Sequence, residues 1–120
     1  MSPAVVSGGL IFVSGQLGVN TEGAVVTGGI EEQTKQALEN LGTVLRAANA
    51  DFADVVKTTV FLKDVRDIPG MNEIYGKVFF QNRPARSAIQ IAELPKKGAL
   101  VEIEAIAIKE SPQKSGNPRL

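Results

Sequence analysis

The sequence predicts an α+β fold: a mixed β-sheet with two helices on one face. Three observations carry that expectation. Short β-branched and aromatic runs are separated by glycine-rich turns. Two longer segments repeat apolar residues at three- and four-residue steps, the helical period. The elements read strand, strand, helix, strand, helix, strand, strand, and two helices cover one side of such a sheet.

The first strands are Ala4-Val5-Val6-Ser7 and Leu10-Ile11-Phe12-Val13-Ser14, a hairpin across Gly8-Gly9. Gly15, Gly18, Asn20 and Gly23 mark turns. After Gly28-Gly29, the residues Ile30, Thr34, Ala37, Leu38, Leu41, Val44, Leu45 and Ala48 form one side of a helix. Glu31, Lys35, Glu39 and Arg46 occupy the other side, and Asn49 is a left-handed stop. Val55 to Leu62 is β-branched at most positions and reads as a strand. Asp67 suits a helix N-cap, with Pro69 in the first turn, where its missing N–H is harmless. Ile68, Met71, Ile74, Tyr75, Val78 and Phe79 give this second helix its apolar side. Asn82 to Pro84 break the chain. Ser87 to Ala92 and Val101 to Lys109 are the last strands, separated by a turn at Pro95 to Gly98.

In the last strand Val101, Ile103, Ala105 and Ala107 point one way. Glu102, Glu104, Ile106 and Ile108 point the other. A sheet apolar on both sides, with helices for only one, needs a partner. We expect a homo-oligomer with the carboxylates near a subunit boundary.

The chain has 120 residues, enough for one domain with its own core. We assign residues 1–110 to that domain and the polar, breaker-rich residues 111–120 to a flexible tail. Thirteen Lys and Arg balance 13 Asp and Glu, so nucleic acid and anionic membranes are not the expected partners. No apolar run has the length of a membrane span, and no targeting signal is visible. The expected location is cytoplasmic, or mitochondrial if an upstream segment is missing. The sequence has no Cys, His or Trp. That removes the usual zinc ligands, thiol chemistry, and the Ser-His and Cys-His nucleophile pairs. Catalysis has to use carboxylates, guanidinium groups, hydroxyls or the backbone.

Two motifs fit that restriction. Arg83-Pro84-Ala85-Arg86-Ser87 puts a guanidinium at the entrance to a strand. Val101-Glu102-Ile103-Glu104-Ala105-Ile106 puts two carboxylates on one side of an otherwise apolar strand. Buried strands carry Glu when something pairs with it or chemistry needs it. From these residues alone, Arg86 is either a ligand clamp or half of a structural salt bridge to Glu102 or Glu104. Ser14 alone reads as a strand-end hydroxyl bonded to backbone, and Asn72 as a helix-surface amide. Tyr75 and Met71 read as core, and Glu104 as a structural partner for a basic side chain. Gly28-Gly29 lacks the spacing and the following Lys-Ser/Thr of a phosphate loop.

Six segments occur in a telling order: Ile11 to Gln16, Val55 to Val60, Asn72 to Tyr75, Pro84 to Ser87, Leu94-Pro95-Lys96 and Glu102 to Ala105. Together they closely resemble the RidA (YjgF) family of reactive-intermediate deaminases, from about Ala4 to Lys109. The resemblance implies a chorismate-mutase-like α+β subunit assembled as a homotrimer, with clefts between subunits. It also implies hydrolysis of 2-imino acids to 2-keto acids and ammonia, without metal or organic cofactor.

Carried onto this chain, the family's carboxylate-clamping Arg falls on Arg86. The Glu that handles the proton and positions water falls on Glu102. Ser14 and Asn72 line the family's pocket. Ala88 stands where many relatives have Cys, which is harmless if that position acts through its backbone. Relatives also begin earlier, with a tyrosine that closes the pocket; here Met1 falls in its place, as in a shortened form. Two other functions follow from the same residues: a module that binds a carboxylate metabolite without turnover, and a ribonuclease or translation inhibitor.

Overall fold

The structure is a computed structural model and describes residues 2–109. The expected tail over residues 111–120 and the Met1 position lie outside the described residues. Five strands, β1 (Ala4–Ser7), β2 (Leu10–Leu17), β3 (Val55–Leu62), β4 (Ala85–Gln90) and β5 (Val101–Ile108), form one sheet in the order β1-β2-β5-β3-β4. Among the described residues β3 and β4 pair in parallel, and the other strand pairs are antiparallel. Two helices, α1 (Gly29–Ala47) and α2 (Ile68–Val78), cover one face. The α+β expectation is met.

Packing follows the two periods. From α1, Ala37, Leu38, Leu41 and Leu45 are buried against Ile11, Val13, Val60, Val101, Ile103 and Ala105 of the sheet. Every second residue of β5, from Val101 to Ala107, is in this core, while Glu104 is exposed and Glu102, Ile106 and Ile108 are half-buried on the other face. On that uncovered face Phe12 and Ile89 are exposed. Asn49 is left-handed at φ 62°, as expected for the α1 stop.

Three details depart from the sequence reading. Gly15 does not end β2; the strand runs on to Leu17 through a bulge in which Ser14 and Gly15 together oppose Glu104. A glycine tolerates the close approach that a bulge creates, so strand pairing wins over turn propensity. Asp67 precedes α2 but makes no side-chain cap bond, because its backbone is already helical. The capping is done one short turn earlier, where the Asp64 carboxylate accepts from the Arg66 amide at 2.9 Å. The fourth strand starts at Ala85 and ends at Gln90, two residues earlier at each end than the apolar pattern indicates, since β3 pairs with it from Lys57 to Leu62.

Two polar side chains pin the loops around this frame. Buried Gln33 donates to the Gly98 carbonyl (3.1 Å) and accepts from the Leu100 amide (2.8 Å), fixing the entry to β5. Asn40 donates to the carbonyls of Leu17 and Val19, at 3.0 and 2.9 Å, fixing the exit of β2.

Candidate active site

Arg86 is the second residue of β4, an edge strand, and lies beside Thr58 of β3 on the helix-covered side. Its Nη1 donates to Asn72 Oδ1 of α2 at 2.8 Å and stands 3.8 Å from Met71 Sδ. The guanidinium carbon lies 4.8 Å above the centre of the Tyr75 ring. That ring is held from below: its hydroxyl shares a 2.6 Å hydrogen bond with Thr58 Oγ1, and Phe79 packs on it with centroids 4.7 Å apart. Burial pushes the Tyr75 phenol up, against smaller opposing effects from the Thr58 bond and the Arg86 charge. The phenol therefore stays neutral and acts as a platform. A guanidinium over a ring, tied at one nitrogen, keeps its remaining N–H groups free for a planar anion. Arg86, Asn72, Tyr75 and Phe79 border a cavity of about 310 Å³.

Glu102 lies two strands away on the opposite face, level with Phe61 of β3 and Leu17 of β2. Half-burial raises its carboxyl above the usual Glu range, and the neighbouring Glu104 charge raises it further. The bulge places Gly15 against it; a methyl group there would come within 2.6 Å of the Glu102 carboxyl carbon. Gly15 thus makes room for the acid. Ser14, in the same bulge, donates from Oγ to the Ser2 carbonyl at 2.7 Å, the backbone bond expected of a strand-end hydroxyl.

The structure brings Arg86 and Asn72 into contact and Ser14 close in sequence to the Glu102 cradle. Ala88, half-buried beside Val60, sits on the Arg86 side of β4 and packs on the core. A single chain does not bring Arg86 and Glu102 together: β3 separates their strands and they face opposite sides. The structural alternative for Arg86, a salt bridge to Glu102 or Glu104, is therefore absent. Glu104 has no ion pair among the described residues, where the pairs are Lys63–Glu93 and Arg66–Asp64. The contribution of Tyr75 was missed in the sequence. It is the sole tyrosine, one helical turn after Asn72, and a buried phenol needs a polar neighbour. A larger cavity, about 770 Å³ between α1 and α2, contains none of the expected residues.

A mixed sheet with one covered face, one open face and a cation on its edge strand defines a class of small α+β subunits. Comparison with known proteins narrows the class. A family model described as Endoribonuclease L-PSP matches residues 1–109. The human 2-iminobutanoate/2-iminopropanoate deaminase is 50% identical over 109 residues, covering 90% of this chain and 79% of the human protein. The rat protein of the same name is 52% identical over the same length and coverage. Among solved structures, RidA from an Antarctic Psychrobacter species has a TM-score of 0.84 at 39% identity, covering 90% of this chain and 87% of the other. Escherichia coli TdcF, solved with bound serine, has a TM-score of 0.83 at 34% identity, covering 92% and 88%. The chain belongs to the RidA (YjgF) family.

Proposed function

We propose that the chain hydrolyses 2-imino acids to 2-keto acids and ammonia, in clefts where the Arg86 side of one copy meets the Glu102 side of the next. The observation that carries this reading is the division of the site. One chain carries Arg86, stacked on Tyr75, and the half-buried Glu102 on opposite faces of its sheet, and leaves the apolar face around Phe12 and Ile106 uncovered. Three copies packed by those faces, each lending one half-site to its neighbour, account for both facts.

In such a cleft Arg86 binds the substrate carboxylate through parallel charge-assisted bonds. Asn72 and Tyr75 hold the guanidinium, so the imine carbon is fixed in position. Ala88 lines the clamp side through backbone groups of the edge strand, and Ser14 lines the carboxyl side. Glu102 directs a water to the imine carbon. The water oxygen bonds to that carbon, the C=N pair moves to nitrogen, and nitrogen takes a proton. The C–N bond of the resulting carbinolamine then breaks with its electron pair leaving on nitrogen, while Glu102 takes the hydroxyl proton and passes it to that nitrogen, leaving a keto acid and ammonia. A carboxyl with a raised pKa can both give and take the travelling proton, a contribution of about 10²–10⁴-fold. Support comes from the names of the human and rat relatives.

The test generates 2-iminobutanoate from threonine with a pyridoxal-phosphate dehydratase and follows the keto acid. Arg86→Ala is expected to lower the rate by at least about 10²-fold; a rate equal to wild type would refute the proposal. Saturable keto-acid binding without turnover would select the binding module instead. The family description favours testing RNA cleavage as a second reading. Cleavage that survives Arg86→Ala and rises with purification would establish it; the balanced net charge speaks against it.

A further inference from the structure

Arg86 shares its cavity with a second guanidinium. Arg83, on the loop that leads into β4, lines the same space. The other lining side chains that bear on it, Asn72, Tyr75, Phe79 and Pro84, are neutral, and no carboxylate lines it. Among the described residues neither arginine belongs to an ion pair. Two cationic residues therefore border one small cavity that no carboxylate lines. Their mutual repulsion is relieved most by an occupant with two negative charges.

The two guanidinium groups differ in how they are held. Arg86 is tied to Asn72 and stacked on Tyr75. Arg83 is exposed and lies three residues earlier, across Pro84, whose ring stiffens the backbone between them. One is a fixed clamp and the other a longer-reaching arm on the same wall. Space is available beside them: a side chain at Gly76, which also borders the cavity, would meet nothing within 4 Å.

We infer that the site takes 2-imino acids bearing a second, side-chain carboxylate, with Arg83 holding that distal group. Such compounds arise by oxidation of acidic amino acids at the α-carbon. The inference rests on the proposed role of Arg86 as anchor for the first carboxylate. A monocarboxylate leaves the Arg83 charge unanswered; a dicarboxylate answers both.

The test measures binding of 2-oxoglutarate, 2-oxobutanoate and inorganic phosphate by calorimetry at low salt. It uses wild type, Arg83→Ala, Arg83→Lys and Arg86→Ala. Wild type is expected to bind 2-oxoglutarate about two- to fivefold more tightly than 2-oxobutanoate, the contribution of one exposed ion pair. Arg83→Ala should bring that ratio close to one and Arg83→Lys should keep part of it, with added salt shrinking the wild-type ratio. Because the ratio is taken within each variant, loss of folded protein cancels. No preference in wild type, a preference that survives Arg83→Ala, or phosphate binding as tightly as 2-oxoglutarate would overturn the inference. If Arg86→Ala abolishes 2-oxobutanoate binding while Arg83 leaves the ratio unmoved, only the dicarboxylate assignment fails. If Arg86→Ala binds 2-oxobutanoate as wild type does, the anchor reading fails and takes this one with it.

Discussion

Tyr75 holds Arg86 by its ring face and is itself held by Thr58. Removing only the hydroxyl separates these contributions. Tyr75→Phe keeps the ring beneath the guanidinium and leaves the buried Thr58 hydroxyl without its partner. We expect a stability loss of about 1–2 kcal/mol in denaturant titration, with most imine turnover retained. Tyr75→Leu should lower turnover further, because the platform goes too. Thr34 offers the opposite case. It is fully buried in α1, and among the described residues its hydroxyl has no hydrogen-bond partner. Thr34→Val keeps the shape and removes the cost of the unsatisfied hydroxyl, so chemical denaturation should show a gain of about 1 kcal/mol. Glu102 adds a pH dependence. Its carboxyl binds a proton more tightly in the folded protomer than in the unfolded chain. Ionised Glu102 therefore opposes folding. That penalty is absent below the ordinary Glu value and complete above the raised one. In an assembly-blocked protomer, Glu102→Gln should be more stable than its parent at about pH 8 and no more stable below about pH 4.

The bulge in β2 is the local feature on which the carboxyl half-site depends. Gly15→Ala would drive a methyl group into the Glu102 carboxyl, a flexible side-chain end that can swing away. The fold should survive by circular dichroism while turnover falls about tenfold or more from the displaced acid. Much of this architecture could be read in the sequence. The strand at Val55–Leu62, the Gly8-Gly9 hairpin and the α1 stop at Asn49 each follow from a strong local signal: β-branching, paired glycines, a residue that tolerates positive φ. The bulge could not be read so easily, because a glycine among polar neighbours carries the same local signature in a turn and in a strand. The start of β4 was displaced for a similar reason. Ala85 and Arg86 have no strand pattern of their own and are recruited by pairing with Lys57 and Thr58.

The candidate site residues were proposed from motif order; that Arg86 and Glu102 stand on opposite faces of the sheet was not legible there. Alternation within β5 fixes which residues share its face with Glu102, but the face of Arg86 depends on β4 lying parallel to β3 at the sheet edge. That is a long-range pairing which no local pattern encodes. The proposed site, divided between opposite faces, requires copies to meet. Phe12, exposed on the open face, is the natural place to prevent it. Phe12→Asp is expected to convert the assembly to single chains by light scattering and to abolish turnover, with secondary structure kept.

The most direct measurement mixes two inactive variants. Arg86→Ala and Glu102→Gln are dissociated, combined in equal amounts and reassembled, and imine hydrolysis is then compared with wild type and with each parent alone. If each site joins Arg86 of one copy to Glu102 of the next, about one-quarter of the sites in random mixtures regain both groups, and about one-quarter of wild-type activity should return. Activity no greater than the mean of the two parents would contradict a site shared between copies.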